Sequence, residues 1–249
     1  AEDGIRDVAV TGVQTCALPI WTFRVAGTVA LTYAGSRGAH LLRPINLNQA
    51  PVGCGSVQSR RPFPAYADIF YIASAGRSRY DSLQATYRKP MGRHVGVDVA
   101  YTLSTSSDDA SAFLGTPTDP NLPQDSAHPE REWAPSSFDA RHRATASGAV
   151  FLPERWWWTR RTQIQVIWSA SSGQPLTPLL RFDNSGTGNT GGSTAGSDRP
   201  NVVGPITLAH PSASQWFNTA AFAVPAPGTF GTAGRNSVRG PGYASVDAA

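Results

Sequence analysis

Few residues in this chain have the type and spacing that chemistry requires. Gly186-Thr-Gly-Asn-Thr-Gly191 satisfies G-x-G-x-x-G, a pattern that cradles a pyrophosphate only when a strand precedes it and a helix follows. Here it sits in a Gly/Ser/Thr/Asn run with no helical period after it, and it reads as a flexible loop. Asp108, Asp109, Asp119 and Asp125 could gather round an external Ca²⁺, which takes carboxylate oxygens. Their spacing matches no calcium loop, so a solvated polar loop is expected instead. His142, between Arg141 and Arg143, opens a strand-like run and reads as structural; His128 stands in a loop. Cys16 and Cys54 suggest no disulfide framework. No G-x-S-x-G, H-E-x-x-H, C-x-x-C or phosphate-loop pattern occurs. The expectation is therefore no enzyme, no cofactor and no resident metal; catalysis would survive only as a β-rich hydrolase with scattered Ser, His and Asp.

The elements that would position any site are alternating runs. In Tyr80–Leu103, Val95, Val97, Val99, Tyr101 and Leu103 share one parity, and His94, Gly96, Asp98, Ala100 and Thr102 the other. A period of two makes a strand with one apolar and one polar face. Leu83, Ala85 and Tyr87 oppose Gln84, Thr86 and Arg88 in the same way, and Pro90–Arg93 is short enough for a hairpin turn. Such a hairpin fits a soluble sandwich, with a core on one side, or a membrane barrel, with lipid there.

Composition narrows the choice. The chain has 249 residues, 15% charged, with 24 Gly and 20 Pro, which favours turns and loops over helices. Mean hydropathy is −0.25, and no run of about 18 apolar residues could form a spanning helix. Spanning strands need only about ten alternating residues each and stay allowed. A net charge of +4 could suit anionic partners, but no basic run or basic-aromatic cluster supports nucleic acid.

Alternation predicts strands over 22–34, 80–89, 94–103, 139–152 and 162–172, with a further run beginning at Tyr243. Their links are about 45, 4, 35, 9 and 70 residues, long and short in strict turn. Long loops are unusual in compact soluble domains. In outer-membrane barrels external loops are long and periplasmic turns short. The predicted lipid-facing residues are Val25, Val29, Leu31, Leu83, Val95, Val97, Val99, Val150, Ile164 and Val166. Arg24, Gln84, Arg88, Asp98, Arg141, Arg143, Gln163 and Gln165 would line the lumen. Aromatic residues fall at strand ends, as interfacial girdles require. Trp21, Phe23, Tyr87, Phe151 and Trp156, Trp157 and Trp158 lie at the short turns, and Tyr33, Tyr80, Tyr101 and Trp168 at the long loops.

The first twenty residues stand apart. Val10–Ile20, VTGVQTCALPI, resembles a translated sequencing-library adapter, and Ala1–Asp7, AEDGIRD, its flow-cell end, with Val8-Ala9 in the place of the sample index. Residues 1–20 are therefore expected to be non-native and to have no proper place in the fold. Without them the chain loses three acidic residues and one basic, and Cys54 is its one thiol.

Several stretches then carry a family resemblance: YAGSRGAHLL (Tyr33–Leu42), RPFPAYADIFY (Arg61–Tyr71), Arg79–Ser111, FDARHRATASGAVFLP (Phe138–Pro153), SSGQPLT (Ser171–Thr177) and Trp216–Ala249. In this order they resemble the C-terminal barrel of Oar-like TonB-dependent outer-membrane receptors. The resemblance implies an all-β, antiparallel fragment of a barrel of about 22 strands, with residues 21–249 an internal piece of it. It further implies a plug, an N-terminal TonB-box contact and, in many members, a carboxypeptidase-regulatory-like domain, none of which appears in the chain. The implied function is energy-coupled uptake of a large or scarce ligand across the outer membrane. The partners would be outer-membrane lipid, the TonB complex and the unknown ligand. The alternative is a surface-exposed or secreted β-rich binding or adhesin module.

Overall fold

In the computed structural model the described residues are 13–25 (backbone alone), 27–111, 122–152, 155, 159, 162–188 and 198–249. The alternating runs form β1 (Val13–Val25), β2 (Gly27–Asn46), β3 (Phe70–Lys89), β4 (Val95–Asp108), β6 (His142–Phe151), β7 (Gln163–Ser171) and β12 (Tyr243–Ala248). They make one antiparallel sheet in the order β1-β2-β3-β4-β6-β7-β12, with the two-residue β5 (Ala134–Pro135) beside β4. Two further ladders, β8 (Pro175–Leu176) with β11 (Val238–Arg239) and β9 (Asn201–Val202) with β10 (Phe222–Ala223), lie inside the connection over 172–242. No described helix is long and apolar enough to cross a membrane.

Neighbours in sequence are neighbours in the sheet, as in an up-and-down wall. Connections 26, 90–94 and 152–162 close one end, and 47–69, 109–141 and 172–242 the other, so the long–short alternation is a property of the fold.

Three expectations are revised. The run over 22–34 is two strands, not one: Phe23 pairs with Val29 and Val25 with Gly27, so the chain reverses between Val25 and Gly27. Gly27 allows close approach there, since a Cβ would lie 2.8 Å from the Tyr87 ring and 2.9 Å from the Arg88 carbonyl oxygen. Second, much of 35–79 is strand. β2 and β3 continue together from Leu41↔Gly76 to Asn46↔Phe70, past the point where β4 pairs with β3. Register shifts flank Leu41, and His40 has a φ of 55°. These bulges let a stretch with two glycines and Pro44 remain paired.

Third, residues 13–20 do have a place. Val13–Leu18 pair with Gly38–Tyr33 of β2, and the register shifts between Leu18 and Trp21. Ladder bonds come from the backbone, which nearly any sequence supplies; Pro19, in the gap, has no N–H to give. Residues 1–12 lie outside the described residues.

The reversal between Val25 and Gly27 is directly testable. A Phe23→Cys/Val29→Cys protein should form a 23–29 disulfide, read by peptide mass mapping. One continuous strand would hold the two about 20 Å apart and leave both thiols free.

Candidate functional site

Directly opposed residues share a face, so the register sorts side chains without ambiguity. One face carries the rows Tyr33–Leu83–Leu103–His142, Leu31–Ala85–Tyr101–Ala144–Ala170–Ala244 and Val29–Tyr87–Val99–Ala146–Trp168–Val246. It also carries Val95–Val150–Ile164 and Val97–Gly148–Val166. The opposite face carries Thr32–Gln84–Thr102–Arg143–Ser171, Thr28–Arg88–Asp98–Ser147 and the pairs Gly96–Ala149–Gln165 and Phe151–Gln163.

Of the residues expected to face lipid, Val29, Leu31, Leu83, Val95, Val97, Val99, Val150, Ile164 and Val166 share the first face, and of those expected in the lumen Gln84, Arg88, Asp98, Arg143, Gln163 and Gln165 share the second. In β1 the backbones of Arg24 and Val25 pair with Thr28 and Gly27; Trp21 and Phe23 likewise enter through backbone register alone. Arg141 precedes β6, its carbonyl accepting from the Ser104 N–H at 3.0 Å. Tyr80 and Phe151, expected in the girdles, fall on the polar face, because each is an odd number of residues from Leu83 or Val150. Tyr87 and Trp168, expected at different heights, share one row. A row tilts with the strands, so three strand spacings change its height by about 9 Å. Trp156, Trp157 and Trp158 lie outside the described residues.

The apolar face is open, with Leu83 51% and Ile164 45% exposed. On the polar face Arg88 and Asp98 pair at 3.3 Å and Ser169 meets Ser245 at 2.7 Å. Burial runs the other way from a soluble domain. The buried apolar residues described are Leu122, Val238 and four alanines, while the most completely buried side chains are Asn48, Thr187, Ser136 and Ser185.

Those polar residues belong to a cluster of the three long connections, which sequence reasoning read as loose loop. Arg235 Nη2 donates to Asp108 Oδ1 at 2.5 Å, and its Nε to the Glu132 carbonyl at 3.0 Å. Arg43 pairs with Asp109 at 3.0 Å, Arg199 with Glu132, and Arg239 with Asp139. Asn48 Nδ2 donates to the carbonyls of Phe63, Tyr66 and Ala67. Gln49 exchanges bonds with Ser126 N–H and the Gln124 carbonyl. Around the glycine motif, Asp183 accepts from the N–H groups of Thr187 and Gly188, both described glycines having positive φ (66° and 68°). This is a capped turn tied to 47–69 by Ala50 N–H on the Thr187 carbonyl; residues 189–191 lie outside the described residues. Burial pushes the Asp198 carboxyl above its usual range, against donors from Ser185. Asp108 and Asp109 are engaged by arginines, and among the described residues no three His, Cys, Asp or Glu gather as a metal site.

An open apolar face, a polar reverse face and one polar, loop-built end are what a lipid-spanning wall requires. A family model, the outer membrane beta barrel domain, matches residues 22–249. The chain belongs to that family. Neither a curated protein nor a solved structure matches it. Membership places the protein in the cell outer membrane, in contact with lipid, and in a generally non-enzymatic family.

The cluster makes a prediction. Arg235→Met leaves the buried Asp108 carboxylate without its arginine, its Ser111 hydrogen bond remaining, a loss of about 3–5 kcal/mol, and should expose 172–242 to limited proteolysis. Adding Asp108→Leu should restore much of the protection, because no uncompensated charge then remains.

Proposed function

We propose that this outer-membrane beta barrel chain is part of a TonB-dependent receptor, in which external loops capture a large or scarce ligand and the lumen admits it. The observation that carries this reading is the loop cluster. Three long connections converge at one end, 109–141 and 172–242 joined by the buried Arg199–Glu132 pair and 47–69 tied to both by hydrogen bonds of Gln49 and Ala50, with Arg43–Asp109 and Arg235–Asp108 anchoring them to strands. A pre-organised loop surface is suited to selecting a ligand, because less ordering entropy is lost on binding. No bond is made or broken; the work is recognition and passage.

In this orientation Val25, Val29, Leu31, Leu83, Val95, Val97, Val99, Val150, Ile164 and Val166 meet lipid. Arg24, Gln84, Arg88, Asp98, Arg141, Arg143, Gln163 and Gln165 meet the lumen. Among the described residues the edges β1 and β12 have one ladder partner each. Unpaired backbone groups are not tolerated in hydrocarbon, so each edge needs a partner strand in the membrane. Residues 1–20 are proposed to be foreign to the receptor; the family match from residue 22 and the register shift after Leu18 support this.

Two experiments test the proposal. The intact gene product should be captured by the periplasmic domain of TonB and should give no steady current in a planar bilayer, its lumen being plugged. A stable open-pore current without TonB capture would favour a passive channel and defeat the receptor reading. For the faces, Val97→Arg or Val99→Arg should impair membrane assembly by about 2–4 kcal/mol, measured as the folded fraction on unboiled gels. Ala100→Arg, on the other face, should be milder; equal effects would reverse the assignment.

A further inference from the structure

We infer that the outer rim of the apolar face is a docking site for the phosphorylated headgroup of an outer-leaflet glycolipid, gripped by Arg37 and Arg79. The inference rests on the proposed orientation, apolar face to lipid and long connections outward.

Arg37 and Arg79 are direct partners across β2 and β3, on the face that carries Tyr33 and Leu83. Directly opposed side chains stand about 5 Å apart at Cβ, and like charges there repel. The pair is only half compensated. Asp81 accepts from Arg79 Nε at 2.5 Å and from the Tyr33 hydroxyl at 2.6 Å, and among the described residues no carboxylate is hydrogen-bonded to Arg37. One strand position further out, Arg77 is 55% exposed, lies 5.2 Å over the Trp133 ring and reaches Asp109 at 3.5 Å. That carboxylate is already held by Arg43 at 3.0 Å. The rim therefore has exposed guanidinium groups in excess of the carboxylates that face them.

Its height matches a headgroup layer. Along β3 the lipid-side residues read Lys89, Tyr87, Ala85, Leu83, Asp81, Arg79: charge, three uncharged side chains, charge. From Lys89 to Arg79 the strand rises about 33 Å along its axis at ~3.3 Å per residue. At the usual strand tilt this is about 25 Å along the membrane normal, the height of a barrel's apolar band. Tyr33, opposite Leu83, sits just below with its hydroxyl on Asp81, where aromatic rings mark the interface. An anion that meets this rim is carried by a lipid whose chains lie against Leu83 and Leu103. Phosphate suits it, because paired guanidiniums bind phosphate oxygens in forked geometry.

The test uses the intact gene product in neutral detergent, with native mass spectrometry reading lipid retention. The probes are diphosphoryl lipid A, the same lipid dephosphorylated, and inorganic phosphate as competitor. Diphosphoryl lipid A should be retained at least ten-fold better than its dephosphorylated form and survive millimolar phosphate. Arg37→Gln/Arg79→Gln should abolish that preference while Arg37→Lys/Arg79→Lys keeps most of it, each variant checked for heat-modifiable folding. Equal retention of both lipids by the unaltered protein would overturn the site while leaving the lipid face standing. Displacement by inorganic phosphate would overturn it as a lipid site. If neither lipid is retained, the orientation itself fails.

Discussion

A backbone amide in the hydrocarbon of a bilayer has no water to bond to, so its partner must come from the next strand. Everything regular in this chain follows from that constraint. The ladder fixes the register, the register fixes which residues share a face, and the period of two then separates Leu83, Val97 and Val99 from Gln84, Asp98 and Ala100. Apolar burial contributes little by comparison. Leu122 and Val238 are the only described buried apolar residues larger than alanine, far short of what would hold a soluble domain of this length together.

The loop-built end obeys a different rule. Beyond the band the long connections meet water, yet they fold back on one another through polar contacts. Arg235, Arg199 and Arg239 reach from 172–242 to Asp108, Glu132 and Asp139, tying the longest connection both to a strand end and to its neighbouring loop. Each buried pair is weak as a source of net stability but costly to break singly. Such pairs favour one arrangement of loops more than they add to its depth, and one arrangement suits the ligand capture we propose.

The strands were legible because alternation is local. β6 and β7 appear in the sequence within a few residues of their ends and β4 within five, whereas only the 80–89 half of β3 does. The β1–β2 turn was hidden for a geometric reason. Its partners, such as Phe23 and Val29, are both odd-numbered, so the apolar parity passes through the turn unchanged and imitates one strand. Between β4 and β6 the partners change parity, Val95 opposing Val150, and there the break was plain. Tyr80 and Phe151 were assigned by position along the strand, whereas parity decides the face. The loop cluster was illegible because its contacts join residues as distant as Arg235 and Asp108, and Gly, Ser and Asn composition looks the same in a loose loop and a tied one. Asp183 capping the turn at Gly186 and Gly188 is the one local signal that could have been read.

The most direct measurement of the two faces is nitroxide accessibility along β4. Single cysteines at 97 through 102, each spin-labelled in the intact protein in a bilayer with Cys54 replaced by serine, would be probed by oxygen, which concentrates in lipid, and by a water-soluble nickel complex. Positions 97, 99 and 101 should favour oxygen and positions 98, 100 and 102 nickel, in strict alternation. Uniform nickel accessibility, or alternation of the opposite phase, would contradict a wall whose Val97 and Val99 face meets lipid.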